Sequence, residues 1–589
     1  KLVIDSESQF KKKLISNKKL IKFDWNENHI LTKLRVESYA FDISRNIKDF
    51  ESINKIKFIL GNKATNKLVF RIIKRVNLDL YTEILKSIAI GNLFLTQGKQ
   101  VTLVFNKNNK RCVKRIIDYL RSHDQMDKYD WSKVDKLQIK YTGSLVLNYF
   151  NDYIRSLGIG IYFLSTIRKL RIDKKKNYKV GLLTWTYSKL VGESHINNEG
   201  LDAVIPENTQ ASEVLVYGKN LITPENLKRI RSRGYHLTKF DLENIYKKFS
   251  PKDLINLVNL IFKILLVYPF LAFTMNKEIR NRLAYIIYQY FKWNKFADNY
   301  KLRLSIGYLE YSLGDLIRNC ILIEKGTSCF SYNHSISEGS YLNKDIEILD
   351  TWKAYVPFSK RFFILPNQVK KYKNSKVFFE KSYITGPLFT KNKSVFKIPI
   401  DLSNRAIVSV FSSSLGTSSF NNKMAHKLFV NSIFKFLEAY SDKITFLFCL
   451  KYKKELLNSE LEINTKKLKK YIALKNIIFI DKSSDTTDLI RSSNGVISMP
   501  FTTPTIEAIA LKIPAIYYDS IGLFPNNYFS NVNGLYINDY QMYKTFLEKV
   551  IFKDYELKEF VKKASDFMGI SDKLDGVGII KSEVKKLIS

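Results

Sequence analysis

Short apolar runs alternate with longer stretches of helical spacing along this chain, and the alternation is clearest in its last third. Ile407 to Phe411 (IVSVF) reads as a strand, followed by a hydroxyl-rich loop, Ser412 to Ser419 (SSSLGTSS), and a long amphipathic helix from Asn421 to Tyr440. Thr445 to Leu450 is a strand ending at Lys451, Ile477 to Ile480 is another, and Thr486 to Ser492 is a helix with Asp485 as its cap. Val496 to Met499 has the length and bounds of a buried strand. It runs into Pro500-Phe501-Thr502-Thr503, where Thr503 suits the N-cap of a new helix and Pro504 its first position. Ile506, Ile509, Ala510 and Ile513 keep one apolar face before Pro514, and Ala515 to Tyr518 forms the next strand with Asp519 at its carboxyl edge.

Strands separated by crossover helices imply a parallel, doubly wound sheet, and ligands of such sheets sit outside the carboxyl ends of the strands. Ser412 to Ser414, Lys451, Asp481, Pro500 to Thr503 and Asp519 all fall at that edge. Hydroxyls at a helix start, beside exposed N–H groups and the positive end of the dipole, favour an anion such as a nucleotide phosphate. The same pattern serves an ordinary βαβ crossover whose threonines only cap a helix. Neither GxxxxGK[ST] nor a GxGxxG after a strand occurs, which disfavours P-loop hydrolysis and dinucleotide redox chemistry.

Upstream, Val101 to Phe105 reads as a strand and Lys110 to Arg121 as the helix after it, and Arg171 to Lys179 looks like a connection. A second α/β section begins at Val180 (VGLLTW) and includes a strand at Val214 to Tyr217, a helix at Leu313 to Lys325, and a strand at Ser328 to Tyr332 with His334 just beyond. Residues 335–395 read as loop-rich. Leu254 to Met275 is long enough to span a bilayer, but Lys263, Asn256, Asn259 and Pro269 interrupt it. A buried helix is expected there, with an interfacial helix as the second reading.

The chain of 589 residues is too long for one core. Its formal charge of +40, from 96 Lys plus Arg against 56 Asp plus Glu, attracts polyanions. Part of that excess is the Lys-rich, Ile-rich and Asn-rich bias of AT-rich coding, and clusters such as Lys174-Lys175-Lys176 read as solvated faces. Cys112, Cys320, Cys329 and Cys449 have no CxxC spacing and fit free thiols in a reducing cytoplasm. No signal peptide is expected.

Ser498-Met499-Pro500-Phe501-Thr502-Thr503 resembles the signature of bacterial polysaccharide-biosynthesis proteins named for a Pro-Phe-Thr-Ser motif, with Thr503 keeping the hydroxyl of the usual Ser. Similar passages are Asp315-Leu316-Ile317-Arg318-Asn319 running into Cys329 to Ser335, Tyr383-Ile384-Thr385-Gly386-Pro387-Leu388, and Ile407 to Phe411 with its loop. The resemblance covers roughly residues 180 to 550 and leaves the first 170 aside. It implies an α/β, GT-B-like fold of two facing Rossmann-type lobes with parallel sheets, plus an extra N-terminal α/β region. The expected parts are 1–172 (N-terminal α/β region), 176–395 (acceptor-side lobe with a helical insertion), 396–560 (donor lobe) and 561–589 (C-terminal helical tail). The family is associated with O-antigen and capsule gene clusters and is similar in layout to transferases of CMP-Kdo and nonulosonates. That implies a nucleotide-sugar donor, a CMP-activated ulosonic acid, passed to a lipid-linked or oligosaccharide acceptor without metal or cofactor. Expected with it are a cytoplasmic location, peripheral contact with the anionic inner-membrane surface, and no nucleic acid. A CDP-polyol phosphotransferase of teichoic-acid type is the alternative, and a basic membrane- or nucleic-acid-binding scaffold the third.

For the departing phosphate the candidates are Ser412, Ser413, Lys451, Pro500, Phe501, Thr502 and Thr503, with Glu507 and Asp519 for the ribose or base. Lys451 reads equally as a solvated strand end, and Glu507 as a surface or inter-lobe residue. For the acceptor proton the polar stretch Glu193 to Asp202 offers Asp202 first, then Glu199, with His195 nearby; turn chemistry around Gly200 explains the same residues. His334 is a candidate for the leaving phosphate, or a capping or core-edge histidine.

Overall fold

The structure is a computed structural model that describes residues 2–5, 64–96, 100–106, 109–123, 134–142, 176–184, 201–218, 230–237, 277–307, 312–333, 354–374, 376–388, 404–413, 423–451, 461–480, 486–522 and 526–570, 575–589, with isolated positions between them. The N-terminal unit is β1 (Leu2–Asp5), α1 (Asn66–Thr96), β2 (Val101–Asn106), α2 (Lys110–His123) and β3 (Gln138–Thr142), its three strands parallel in the order β1-β2-β3. The second is β4 (Lys176–Thr184), β5 (Val214–Gly218), β6 (His236–Leu237), α3 (Lys277–Asn299), β7 (Tyr300–Gly307), α4 (Leu313–Glu324), β8 (Ser328–Tyr332), β9 (Pro357–Phe363), α5 (Pro366–Asn374) and β10 (Phe378–Ile384). The third is β11 (Ala406–Phe411), α6 (Lys423–Tyr440), β12 (Ile444–Cys449), α7 (Thr465–Ala473), β13 (Ile477–Phe479), α8 (Thr486–Arg491), β14 (Gly495–Ser498), α9 (Thr503–Ala510), β15 (Ala515–Tyr518), β16 (Tyr536–Ile537) and α10 (Tyr540–Ile551). Two further helices, α11 (Glu556–Met568) and α12 (Gly576–Ile588), close the chain.

Both large sheets are parallel, with orders β10-β9-β8-β7-β4-β5-β6 and β13-β12-β11-β14-β15-β16. Each therefore reverses its winding once, between β4 and β7 and between β11 and β14. β11 is buried along nearly its whole length, as its run of β-branched residues requires of a central strand covered on both faces. α6 lies on one face through Ala425, Phe429, Ile433, Phe436 and Leu437, whose spacing makes one apolar stripe. α9 lies on the other face through Ile506 and Ile509.

The N-terminal unit shares one core with the second through α1, α3 and α4, which bring Leu68, Ile72, Leu283, Leu316 and Cys320 together. Arg282 pairs with Asp79 across that contact at 2.5 Å. α4 opens with a reciprocal cap: Asp315 N donates to Ser312 Oγ at 3.1 Å, and Ser312 N to Asp315 Oδ2 at 2.9 Å.

α12 lies against the second sheet, not the third that precedes it. Val577, Ile580, Val584 and Ile588 join Val180, Leu304, Phe330 and Phe362 in a core that continues into Phe501, Ile506 and Met568 of the third unit. One apolar layer thus runs through both lobes. The stretch read as loop-rich, residues 335–395, contains β9, α5 and β10. Residues 254–275 lie almost wholly outside the described residues, and among the described residues no helix is long and apolar enough to cross a membrane. Cys112, Cys320 and Cys329 are buried free thiols, and Cys449 is half-buried.

Lysine occupies several left-handed corners that usually take glycine: Lys376, Lys475, Lys512 and Lys553, with φ between 52° and 63°. At Lys553 the turn after α10 closes through Asp554 N donating to Lys549 O at 2.9 Å. Lys553→Gly is expected to gain about 0.5–1 kcal/mol in denaturant unfolding, because a Cβ in that conformation carries a penalty glycine lacks.

Candidate functional site

The reversal between β11 and β14 lies where both loops leave the carboxyl edge in opposite directions, one into α6 and the other into α9. A crevice outside that point is where doubly wound sheets bind ligands. The strands end level, with Phe411 opposite Ser498 and Met499 N donating to Phe411 O at 2.9 Å. Ser412 is buried; its Oγ accepts from Lys451 N at 3.0 Å and ties the end of β11 to that of β12. Ser413 Oγ stands 3.3 Å from His426 Nε2 in the first turn of α6 and 3.7 Å from Met499 Sδ. Ser520 Oγ donates to Ala425 O at 2.9 Å, so the loop after β15 also holds the start of α6. The N-termini of α6 and α9 thus flank one short edge.

The turn between β14 and α9 is built from inside. Phe501 has φ of +62° and is 3% exposed, its ring among Tyr517, Phe524, Phe529 and Tyr536 at centroid distances of 5.3 to 6.3 Å. Thr502, not Thr503, is the N-cap of α9, because Thr503 already has helical geometry. The Thr502 hydroxyl does not cap: it donates to Met499 O at 3.1 Å and is buried. Tyr517 Oη donates to Thr502 O at 2.7 Å from below. Thr502 therefore has both its hydroxyl and its carbonyl engaged inside, while Thr503, half-buried, is the hydroxyl nearer solvent.

Asp519 is buried too. Its carboxylate accepts from Ile521 N at 3.3 Å, Phe524 N at 3.2 Å and Tyr536 Oη at 2.6 Å, which fixes the loop after β15. Glu507 is buried on α9 at 3% exposure, so it is no surface residue, and Pro500 is buried in the turn. Lys451 is exposed at the end of β12. Asp202 belongs to the short 3-10 turn Leu201–Val204 and its side chain lies outside the described residues, as do Glu199, His195, His334, Ser414 and Asp481. By sequence order, the segment with Glu199 leaves β4, one of the two strands at the other sheet's reversal.

His426 has no counterpart in the sequence reading. Its signal was its place in the first turn of the helix after the serine-rich loop. Burial pushes its imidazole down to about 4 from 6.5, so it is neutral at pH 7. Between those values the unfolded chain takes up a proton that the native state refuses, so stability falls as pH drops through the window. The expected loss from pH 7 to pH 4 is up to about 3 kcal/mol from this group. Denaturant unfolding at stepped pH checks it: His426→Gln should flatten that part of the profile.

Two doubly wound parallel sheets, joined by a helix that returns from the end of the chain to the earlier lobe, make this an α/β protein of the GT-B kind. Residues 266–547 match the family model described as polysaccharide biosynthesis PFTS motif protein, so that stretch is similar to the family and includes the turn around Phe501. No curated protein matches the chain. Among solved structures, the glycotransferase of kitacinnamycin matches with a TM-score of 0.40 and 9% identity over 70% of this chain and 100% of that one. The calicheamicin glycosyltransferase CalG4 gives 0.37 and 10% over 70% and 98%. The S. aureus MnaA structure with UDP gives 0.41 and 9% over 69% and 96%.

Proposed function

We propose that the chain is a glycosyltransferase of surface-polysaccharide biosynthesis that moves a sugar from a nucleotide-sugar donor, a CMP-activated ulosonic acid, to a lipid-linked or oligosaccharide acceptor. The observation that carries this reading is the reversal between β11 and β14, where the N-termini of α6 and α9 point at one edge lined by Ser412, Ser413 and Thr503. Two helix N-termini at one sheet edge favour a phosphate there. The match of residues 266–547 to a polysaccharide-biosynthesis family supports the same substrate class.

The acceptor hydroxyl attacks the anomeric carbon, the bond to the phosphate oxygen breaks, and CMP leaves with its electron pair. The hydroxyl proton passes to a carboxylate of the earlier lobe, Asp202 or Glu199, and His334 assists the phosphate. Backbone N–H groups at Thr502 and Thr503, the Thr503 hydroxyl and Lys451 stabilise the charge that develops on CMP. No cofactor or metal is required in this scheme. The basic chain, +40 overall, suits an anionic donor and peripheral contact with an anionic bilayer.

The test is release of CMP from CMP-sugars, with CDP-glycerol and CDP-ribitol as competing donors. Consumption of a CMP-sugar is expected. Thr503→Val is expected to lower kcat/KM for the donor at least about tenfold, the loss of one hydrogen bond to a charged group, with unfolding unchanged. Unchanged turnover would remove the phosphate role, and consumption of a CDP-polyol alone would replace the reaction.

A further inference from the structure

Among the described residues of the second lobe two arginines are buried, and one of the two has its charge answered there. Arg318, fully buried on α4, donates from Nη1 to Asp315 Oδ1 at 2.7 Å and from Nε and Nη2 to Asn319 Oδ1 at 3.0 and 2.8 Å. Arg361, on β9 and 1% exposed, finds no hydrogen-bond partner for Nε or Nη1 among the described residues. Its guanidinium carbon lies 4.2 Å from the ring centre of Tyr372, 4.5 Å from Phe358 and 5.6 Å from Phe363. Such a cage offsets part of the desolvation of a cation but supplies no acceptor.

Beside it stands a second group in the same condition. Ser331 on β8 is the register partner of Arg361, so both side chains leave the same face of neighbouring strands about 4.8 Å apart. Ser331 is fully buried, and its Oγ likewise has no partner among the described residues. Both positions lie close to the carboxyl ends of their strands, the edge from which ligands reach such sheets. Tyr372, which stacks on the guanidinium, donates its hydroxyl to Asn333 Oδ1 at 2.9 Å just past the end of β8, so the cage is fastened to that edge.

We propose that Arg361 and Ser331 form an oxyanion-binding site in the second lobe, which takes a carboxylate or phosphate of the sugar-bearing substrate. This site rests on the transferase reading only for the identity of that substrate. The guanidinium only donates and the hydroxyl beside it has an O–H to give, so the pair can supply the donors that an oxyanion requires. The unanswered charge is a cost that the free protein carries and the ligand removes. A merely structural arginine predicts the opposite: its removal would lower stability and leave binding alone.

The experiment uses the full chain and four probes in titration calorimetry: N-acetylneuraminate, its methyl ester, inorganic phosphate and CMP. The native protein should bind N-acetylneuraminate, inorganic phosphate or both. Arg361→Met should weaken that binding at least about tenfold, while the neutral ester is unaffected. The Tm of Arg361→Met should equal or exceed that of the native protein. Response to N-acetylneuraminate alone assigns a sugar carboxylate, and response to phosphate alone assigns a phosphate group. Oxyanion affinity unchanged in Arg361→Met, or absent from the native protein, overturns the site and leaves water as the partner of both groups. A Tm that falls in Arg361→Met and returns in Arg361→Lys overturns it as well. If Arg361→Met does not fold, Ser331→Ala decides: it keeps the charge, and unchanged oxyanion affinity sinks the proposal. Absence of CMP binding with oxyanion binding intact would sink the nucleotide-sugar reading and leave this site standing.

Discussion

Phe501→Ala is expected to cost about 3–5 kcal/mol of stability, the range for emptying a buried aromatic site. The ring is enclosed by Tyr517, Phe524, Phe529 and Tyr536, so its loss leaves a cavity between α9 and the strands beneath it. Alanine would keep the +62° backbone and its penalty while losing the packing that holds it there. Phe501→Gly sheds that penalty and should be no less stable than Phe501→Ala, which separates ring burial from backbone strain. The aim of Thr502 and Thr503 depends on this turn, so donor binding should fall with stability in both variants. Denaturant unfolding and titration with CMP read the two effects. A loss under 1 kcal/mol, outside the range for a core aromatic, would mean the ring is not the anchor of the turn.

The second large effect concerns the clasp between α12 and the second sheet. Glu583 accepts from Lys360 Nζ at 2.5 Å and from Tyr383 Oη at 2.8 Å, with Lys586 at 2.6 Å on its other oxygen. Burial alone would raise its carboxyl, but these three hydrogen bonds outweigh burial and hold it at about 2. Its contribution is complete above the ordinary carboxylate value near 4.5 and is lost as pH falls from there towards 2. Burial and Glu583 together push the Tyr383 hydroxyl up to about 12. Glu583→Ala at pH 7 should cost about 3 kcal/mol, since it strands the largely buried Lys360. Gly576→Ala tests the other end of the helix, where a Cβ would stand 2.4 Å from Thr385 O, and should loosen α12 through a backbone clash. In both, hydrogen exchange should rise along α12 and on the strands it covers, while α6 and β12 stay protected. Uniform exchange across both lobes would show that the clasp is no separate unit.

The parallel architecture was legible because strands buried on both faces leave continuous apolar runs, and Ser328–Tyr332 and Ala515–Tyr518 have the bounds expected. α9 started one residue early because Thr502 holds its hydroxyl inward, which depends on Met499 and not on capping preference. β9 was hidden because Lys360 and Arg361 interrupt its apolar run. The first is buried by Glu583, more than two hundred residues away in sequence, and the second by a cage from α5 and its own strand. β10 was hidden because Glu380 and Lys381 face solvent on an edge strand. At the candidate site, the strand ends that carry Ser412, Lys451, Pro500 and Asp519 were readable from pattern. The inward engagement of Asp519 and the burial of His426 were not, because both arise from contacts between separate crossovers.

The return of α12 to the second sheet has a consequence for biogenesis. Val180, Leu304, Phe330 and Phe362 have emerged from the ribosome long before Val577 and Ile580 exist to cover them. At about 5–20 residues per second, the strand around Phe362 waits roughly 10–40 s for its lid. Throughout that interval a nascent chain of this protein displays a sticky, half-finished surface, and chaperone capture or premature degradation would act there first.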